Sequence, residues 1–189
     1  ISFAEQFYPG ILGNLSSCRS PQEMLGSLIK RVLPETQGIP AEDLVVVSIM
    51  PCTAKKAEAK LDKFGRQVDF VLTTQELAEM IAGAGLRFND LAPESLDLPL
   101  GFKTGAGVIF GTSGGVTEAV LRYAVEKLSG VRLDDFEFKQ VRGEDGVREA
   151  KFNVNGTEIS LVVVYGLRNA RRLAEQVKNG ECRYDLIEV

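Results

Sequence analysis

The chain has 189 residues, 44% hydrophobic and 25% charged, with a net charge of −4; this is the composition of an ordinary soluble globular protein and argues against a basic nucleic-acid surface. It contains no histidine, which excludes His-based general-base catalysis, Ser–His–Asp triads and His-ligated metals within it. Its three cysteines, Cys18, Cys52 and Cys182, are widely spaced and odd in number, so no disulfide framework is expected and a reducing, cytoplasmic compartment fits. No apolar run approaches the roughly 18–20 residues of a membrane span. The start, Ile1-Ser2-Phe3, has neither an initiator Met nor the features of a signal peptide, and reads as a chain cut from something longer.

Ser20-Pro21-Gln22-Glu23 predicts a helix start: Ser20 caps, Pro21 suits the first turn and Glu23 can close a capping box. Met24, Leu25, Leu28, Ile29 and Val32 then recur at helical spacing, and Pro34 and Gly38 are expected to end the helix. Leu44 to Met50 is almost continuously apolar and predicts a strand buried on both faces, hence a parallel sheet. Val68 to Leu72 predicts a second strand, and Thr73 with Glu76 a capping box opening a helix through Ile81. Residues 83–104 read as connection, which places a lobe boundary between 1–104 and 105–189. A glycine-rich stretch from Gly105 to Gly115 precedes a helix from Val116 through Ala119, Val120, Tyr123 and Leu128 to Gly130. Phe136 to Val141 predicts a strand, and Asn155-Gly156 a hairpin turn between Phe152–Val154 and Thr157–Val164. A basic helix over Leu167–Lys178 closed by Gly180, and a short strand over Tyr184–Val189, complete an α/β pattern.

Cys52 follows a proline at the carboxyl end of the first predicted strand, where ligand sites of open α/β sheets gather. Lys55 and Lys56 lie within one turn of it and favour a thiolate, which is a nucleophile or a soft-metal ligand. A buried structural cysteine beside two solvated lysines fits the spacing as well. The glycines of 105–115 resemble a phosphate cradle, but no Walker lysine follows. They read instead as close backbone approach, to a cofactor or between elements.

Met50-Pro51-Cys52-Thr53-Ala54-Lys55-Lys56 with Glu58 resembles the second signature motif of the iron–iron hydrogenases. Further segments match in the right order: Asn14 to Ser17, Ser20 to Met24, Val71 to Ala78, Gly105 to Gly111 with Gly114 to Val116 and Glu118-Ala119, Val141 to Gly143 and Ile187 to Val189. Thr112-Ser113 stands where that family more often has Ala-Thr, and Cys18 and Cys182 match no ligand position.

The resemblance implies a fold of two α/β lobes, each a small parallel or mixed sheet flanked by helices, with the cluster site in the cleft between them. It implies reversible interconversion of molecular hydrogen with protons and electrons at an H-cluster, a 4Fe-4S cube bridged by a cysteine to a diiron unit. By the same resemblance Cys52 ligates the cube and Lys55 donates to a cyanide on the diiron unit. Met50, Pro51 and Phe110 pack around that unit, Gln22 is a polar neighbour, Gly111 belongs to the glycine-rich loop, and Ser16 and Ser20 lie on or near a proton route. Core packing for Met50 and Phe110, exposure for Gln22 and helix capping for Ser20 are the plainer readings. The family's first and third cysteine motifs are expected just before Ile1 and just after Val189, so these 189 residues supply one cube ligand of four. The isolated chain is therefore expected to bind no complete cluster, to evolve no hydrogen, and to form homodimers through unpaired strand edges. Ferredoxin or NAD(P)-linked subunits are the expected electron partners. A non-catalytic relative in iron–sulfur assembly is the alternative, although the family pattern implies that it would lack Met50 and Lys55; a hydrogen sensor is another.

Overall fold

The computed structural model describes residues 1–61, 65–102, 104–130, 139–140, 145–154 and 156–189. They form two compact units, one of residues 17–100 and one of residues 1–16 with 101–189. The first sixteen residues pack with residues 101–189 rather than with the unit that follows them. The reason is apolar: Tyr8 and Ile11 are buried against Ala174, with Phe3 and Val177 around them.

In the unit of residues 17–100, helix α2 (Pro21–Gln37) is followed by strand β1 (Val47–Met50), helix α3 (Ala54–Glu58), strand β2 (Phe70–Thr73) and helix α4 (Thr74–Gly83). β1 and β2 pair in parallel, Val47 opposite Phe70 through Met50 opposite Thr73. The Ser20 cap is present, its hydroxyl accepting the Glu23 N–H. The expected capping box is not closed, because the Glu23 carboxylate is buried and accepts from the Gln22 amide. α2 also runs through Pro34 and stops at Gly38, which takes a left-handed conformation at φ 64°. Its packed face differs from the apolar stripe: Gln22, Glu23 and Gly26 are buried, while Met24, Leu25 and Leu28 are about half exposed. Gly26 sets this face, because a Cβ there would meet the Gln67 carbonyl and the Val68 side chain at 2.8 Å each. Nor is β1 buried on both faces: Val47 and Ile49 are exposed, and of residues 44–50 only Val46 is fully covered. With β2 as its one described neighbour in a two-stranded sheet, β1 has one uncovered face. The Thr73–Glu76 capping box on α4 forms as expected, with both reciprocal bonds in place.

The other unit begins with helix α1 (Ser2–Phe7) and a 3-10 turn over Pro9–Asn14, and resumes with helices α5 (Gly105–Ile109) and α6 (Gly115–Ser129). Strands β3 (Lys139–Gln140), β4 (Val147–Val154) and β5 (Thr157–Val164) lead to helix α7 (Gly166–Asn179) and strand β6 (Leu186–Glu188). The sheet order is β3-β4-β5-β6, antiparallel except for the parallel pair β5·β6. The hairpin closes where expected, Val154 pairing with Thr157 and Gly156 at φ 87°. Of the strand expected over 136–141, residues 139–140 are described as β3; the rest of it, like Val141-Arg142-Gly143, lies outside the described residues.

β5 has the two-sided burial that the sequence suggested for residues 44–50. Val162 and Val164 pack with Val147 against Ala170 and Leu173 of α7. Leu161 and Val163 pack with Ala150 against Leu121 of α6. Leu161 through Val164 are at most 2% exposed, and each such side chain contributes roughly 1.5–3 kcal/mol on burial. Both units are thus mixed α/β arrangements, small sheets flanked by helices, as the fold class anticipated.

Candidate metal centre

Pro51 ends β1, and Cys52 stands just beyond it as a free, exposed thiol. The chain then turns tightly: the Lys55 N–H donates to the Cys52 carbonyl at 3.4 Å, and α3 carries Lys55 and Glu58 on one face. The Lys55 ammonium donates to the Glu58 carboxylate at 2.9 Å, and the Ser20 hydroxyl donates to the same oxygen at 2.9 Å. Both charged side chains are largely withdrawn from water, 29% and 15% exposed, so their mutual attraction is less screened than at an open surface. Gln22 lies behind the turn, its amide oxygen accepting from Ser48 and its Nε2 donating to the Lys55 carbonyl.

Six of the nine residues singled out from the sequence therefore share this unit: Ser20, Gln22, Met50, Pro51, Cys52 and Lys55. Ser16, Phe110 and Gly111 belong to the other. Ser16 is exposed after the 3-10 turn, and Phe110 and Gly111 are exposed between α5 and α6. Gln22, for which exposure was the plainer reading, is 5% exposed. Met50 is half-buried and Pro51 exposed. Ser48 was not singled out, and Glu58 entered only with the motif. Ser48 gave one signal, a hydroxyl in an otherwise aliphatic strand.

The described contacts of the glycine-rich stretch are made within its own unit. Thr104 caps α5 by accepting the Gly107 N–H. The N-terminus of α6 takes an acid of its own unit: Gly114 and Thr117 N–H donate to the Glu188 carboxylate at 2.8 and 3.0 Å. A Cβ on Gly115 would lie 1.8 Å from the Ile109 carbonyl oxygen. The close approach is thus between elements.

Among the described residues no group of three or more His, Cys, Asp or Glu side chains is arranged to hold a metal ion. The donor set fits a single ligand position: Cys52 is a free, accessible thiol at the end of a strand, with a cation one turn away. A cube needs about four protein ligands. These residues alone do not complete one.

A parallel strand pair, an exposed cysteine just beyond β1 and a half-buried lysine–carboxylate pair one turn on make this an α/β protein with a free thiol at a strand end. The chain belongs to the family described as the iron only hydrogenase large subunit, C-terminal domain, which it matches over residues 1–189. It is 42% identical over 190 residues to the Periplasmic [Fe] hydrogenase large subunit of Nitratidesulfovibrio vulgaris, covering 98% of this chain and 45% of that protein. It is 33% identical over 200 residues to the cytosolic Fe-S cluster assembly factor narfl of Xenopus tropicalis, covering 100% of this chain and 42% of that one. A solved [FeFe]-hydrogenase HydA1 variant from Chlamydomonas reinhardtii superposes with a TM-score of 0.81 at 35% identity, over 100% of this chain and 56% of that chain. The chain thus spans about half the length of these relatives. No described helix is long and apolar enough to cross a membrane.

Proposed function

We propose that the chain is part of an iron-only hydrogenase that interconverts molecular hydrogen with protons and electrons, working in the cytoplasm with ferredoxin or an NAD(P)-linked subunit. The observation that carries this reading is the exposed thiol of Cys52 with the Lys55 ammonium held one turn away. When bound, the H-cluster supplies the redox chemistry. Cys52 would ligate one iron of the cube as a thiolate. Lys55 is a charge-assisted donor suited to an anionic ligand such as cyanide. Glu58 holds that ammonium in place, Ser20 donating to the same carboxylate, and Met50 and Pro51 would supply apolar surface beside the cysteine. Ser16 and Ser20 can hold or pass a proton, since a hydroxyl both donates and accepts.

The test is hydrogen evolution by the full-length, cluster-loaded protein. Lys55→Ala is expected to lower the rate about 10–100-fold, the usual cost of losing an outer-shell partner of a metal site. The 189 residues alone are expected to evolve no hydrogen; iron and sulfide analysis after anaerobic reconstitution should find well under the roughly four irons of a cube. A second reading, a non-catalytic role in iron–sulfur assembly, draws on the assembly factor that matches the whole chain. Met50 and Lys55 favour catalysis, because the family pattern implies their loss in such relatives. A loaded protein no more active than its Lys55→Ala variant would favour assembly.

A further inference from the structure

We propose that Ser48 is a positioning residue: through Gln22 it fixes the main chain at Lys55, and so aims the turn that carries Cys52 and the Lys55 ammonium. Residues 44–50 are aliphatic or thioether-bearing except for this one hydroxyl. Ser48 alternates with the exposed Val47 and Ile49, so it lies on the other face of β1, where its hydroxyl is 2.7 Å from the Gln22 amide oxygen. Gln22 is 5% exposed, and a buried amide is costly unless both its ends are bonded. Its Nε2 lies 3.4 Å from the Lys55 carbonyl and 3.4 Å from the Glu23 carboxylate.

The direction of this chain of bonds is fixed by chemistry. A carbonyl and a carboxylate only accept, so the Gln22 NH2 faces Lys55 and Glu23. Its oxygen therefore faces Ser48, and Ser48 must donate. The strut ends on the residue that closes the cysteine turn: the Lys55 N–H donates to the Cys52 carbonyl, and the Lys55 carbonyl also accepts the Ala59 N–H at 3.0 Å. Strand β1, the first turn of α2 and the Cys52–Lys55 turn are joined by this one amide. Without the hydroxyl, the buried amide oxygen loses its donor and the strut is free to rotate.

The proposal rests on the reading of Cys52 and Lys55 as cluster residues, but its test reads geometry in the metal-free full-length protein. The strut can therefore fail while hydrogenase activity stands, and the reverse. Ser48→Thr keeps the hydroxyl; Ser48→Val is its isostere without one, and both suit a strand. Maleimide alkylation of Cys52 is measured relative to the exposed Cys18, and N-hydroxysuccinimide acylation of Lys55 relative to the exposed Lys60, by peptide mass spectrometry. Ser48→Thr should match the unmodified protein, while Ser48→Val and Gln22→Met should each change both ratios about threefold, the scale of one lost hydrogen bond. The double variant should add nothing to either single one. A Ser48→Val protein that labels like Ser48→Thr, or a Gln22→Met protein that labels like the unmodified one, overturns the proposal. A measurement free of any folding defect is side-chain amide exchange in the unmodified protein. The Gln22 NH2 protons should exchange about tenfold or more slowly than those of the exposed Gln6 and Gln37; equal rates overturn the proposal whatever the variants do.

Discussion

Asp69 is where three separate pieces of one unit meet. Its carboxylate accepts from the Lys30 ammonium at 2.8 Å and from the Val46 N–H at 2.8 Å, with Arg66 at 3.7 Å. Burial alone would push this carboxyl up, but the Lys30 bond and the Val46 N–H outweigh it and hold it below the usual range. A depressed carboxylate pKa contributes stability that is complete above the unfolded value of about 3.9 and is lost as pH falls through the folded value. Asp69→Asn should therefore cost about 1–3 kcal/mol near neutral pH. In urea titrations at a series of pH values, the gap between variant and parent should be constant above about pH 4 and shrink below it. A gap that persists unchanged well into acid would contradict this account. At this scale the sequence was uneven. Cys52 and Lys55 were legible because they are neighbours in a motif. Ser48 and its bond to Gln22 were not, because a hydrogen bond across 26 residues of chain leaves no local spacing to read.

Elements were most legible where a short-range device builds them. The Ser20 and Thr73 caps, the hairpin pairing of Val154 with Thr157 and Gly38, Gly130 and Gly180 at helix ends all appear where local chemistry put them. Thr73→Ala should cost about 1 kcal/mol, read as a shift in the denaturation midpoint. Faces were less legible, because they depend on what packs against them. α2 turns Gly26 rather than Leu25 inward, and Gly26→Ala should destabilise by about 1–3 kcal/mol as Cβ displaces the Gln67–Val68 backbone. Gly115→Ala should be worse: its Cβ would lie 1.8 Å from a backbone carbonyl oxygen, against 2.8 Å at Gly26, so soluble expression is the measurement and loss of folded protein the expected result. Val120 and Tyr123 of α6 are likewise exposed, although apolar or aromatic.

For the whole molecule, the sequence was right about α/β architecture and wrong about where the deepest strand lies. A run of aliphatics shows that a strand can be covered, not that its own 189 residues cover it. Val45, Val47, Ile49 and Phe70 are each 47–58% exposed around the two-stranded sheet. Exposed apolar surface beside unpaired strand edges favours association. The isolated chain should therefore bind a hydrophobic dye and elute increasingly early from a sizing column as its concentration rises. A strictly monomeric, dye-silent chain would show that this surface is covered in solution by a rearrangement of the unit itself.

The two-sided burial of β5 also sets an order of events. β4 and β5 are joined by a tight turn, so their pairing closes a short loop at small entropic cost. β6 reaches β5 only after the whole of α7 has intervened. The hairpin can form first and offer β5 as a template, with α7 and β6 closing over it later. On this basis the backbone amides of Leu161 to Val164 should be the last to exchange with heavy water, and those of β6 should open earlier and more often.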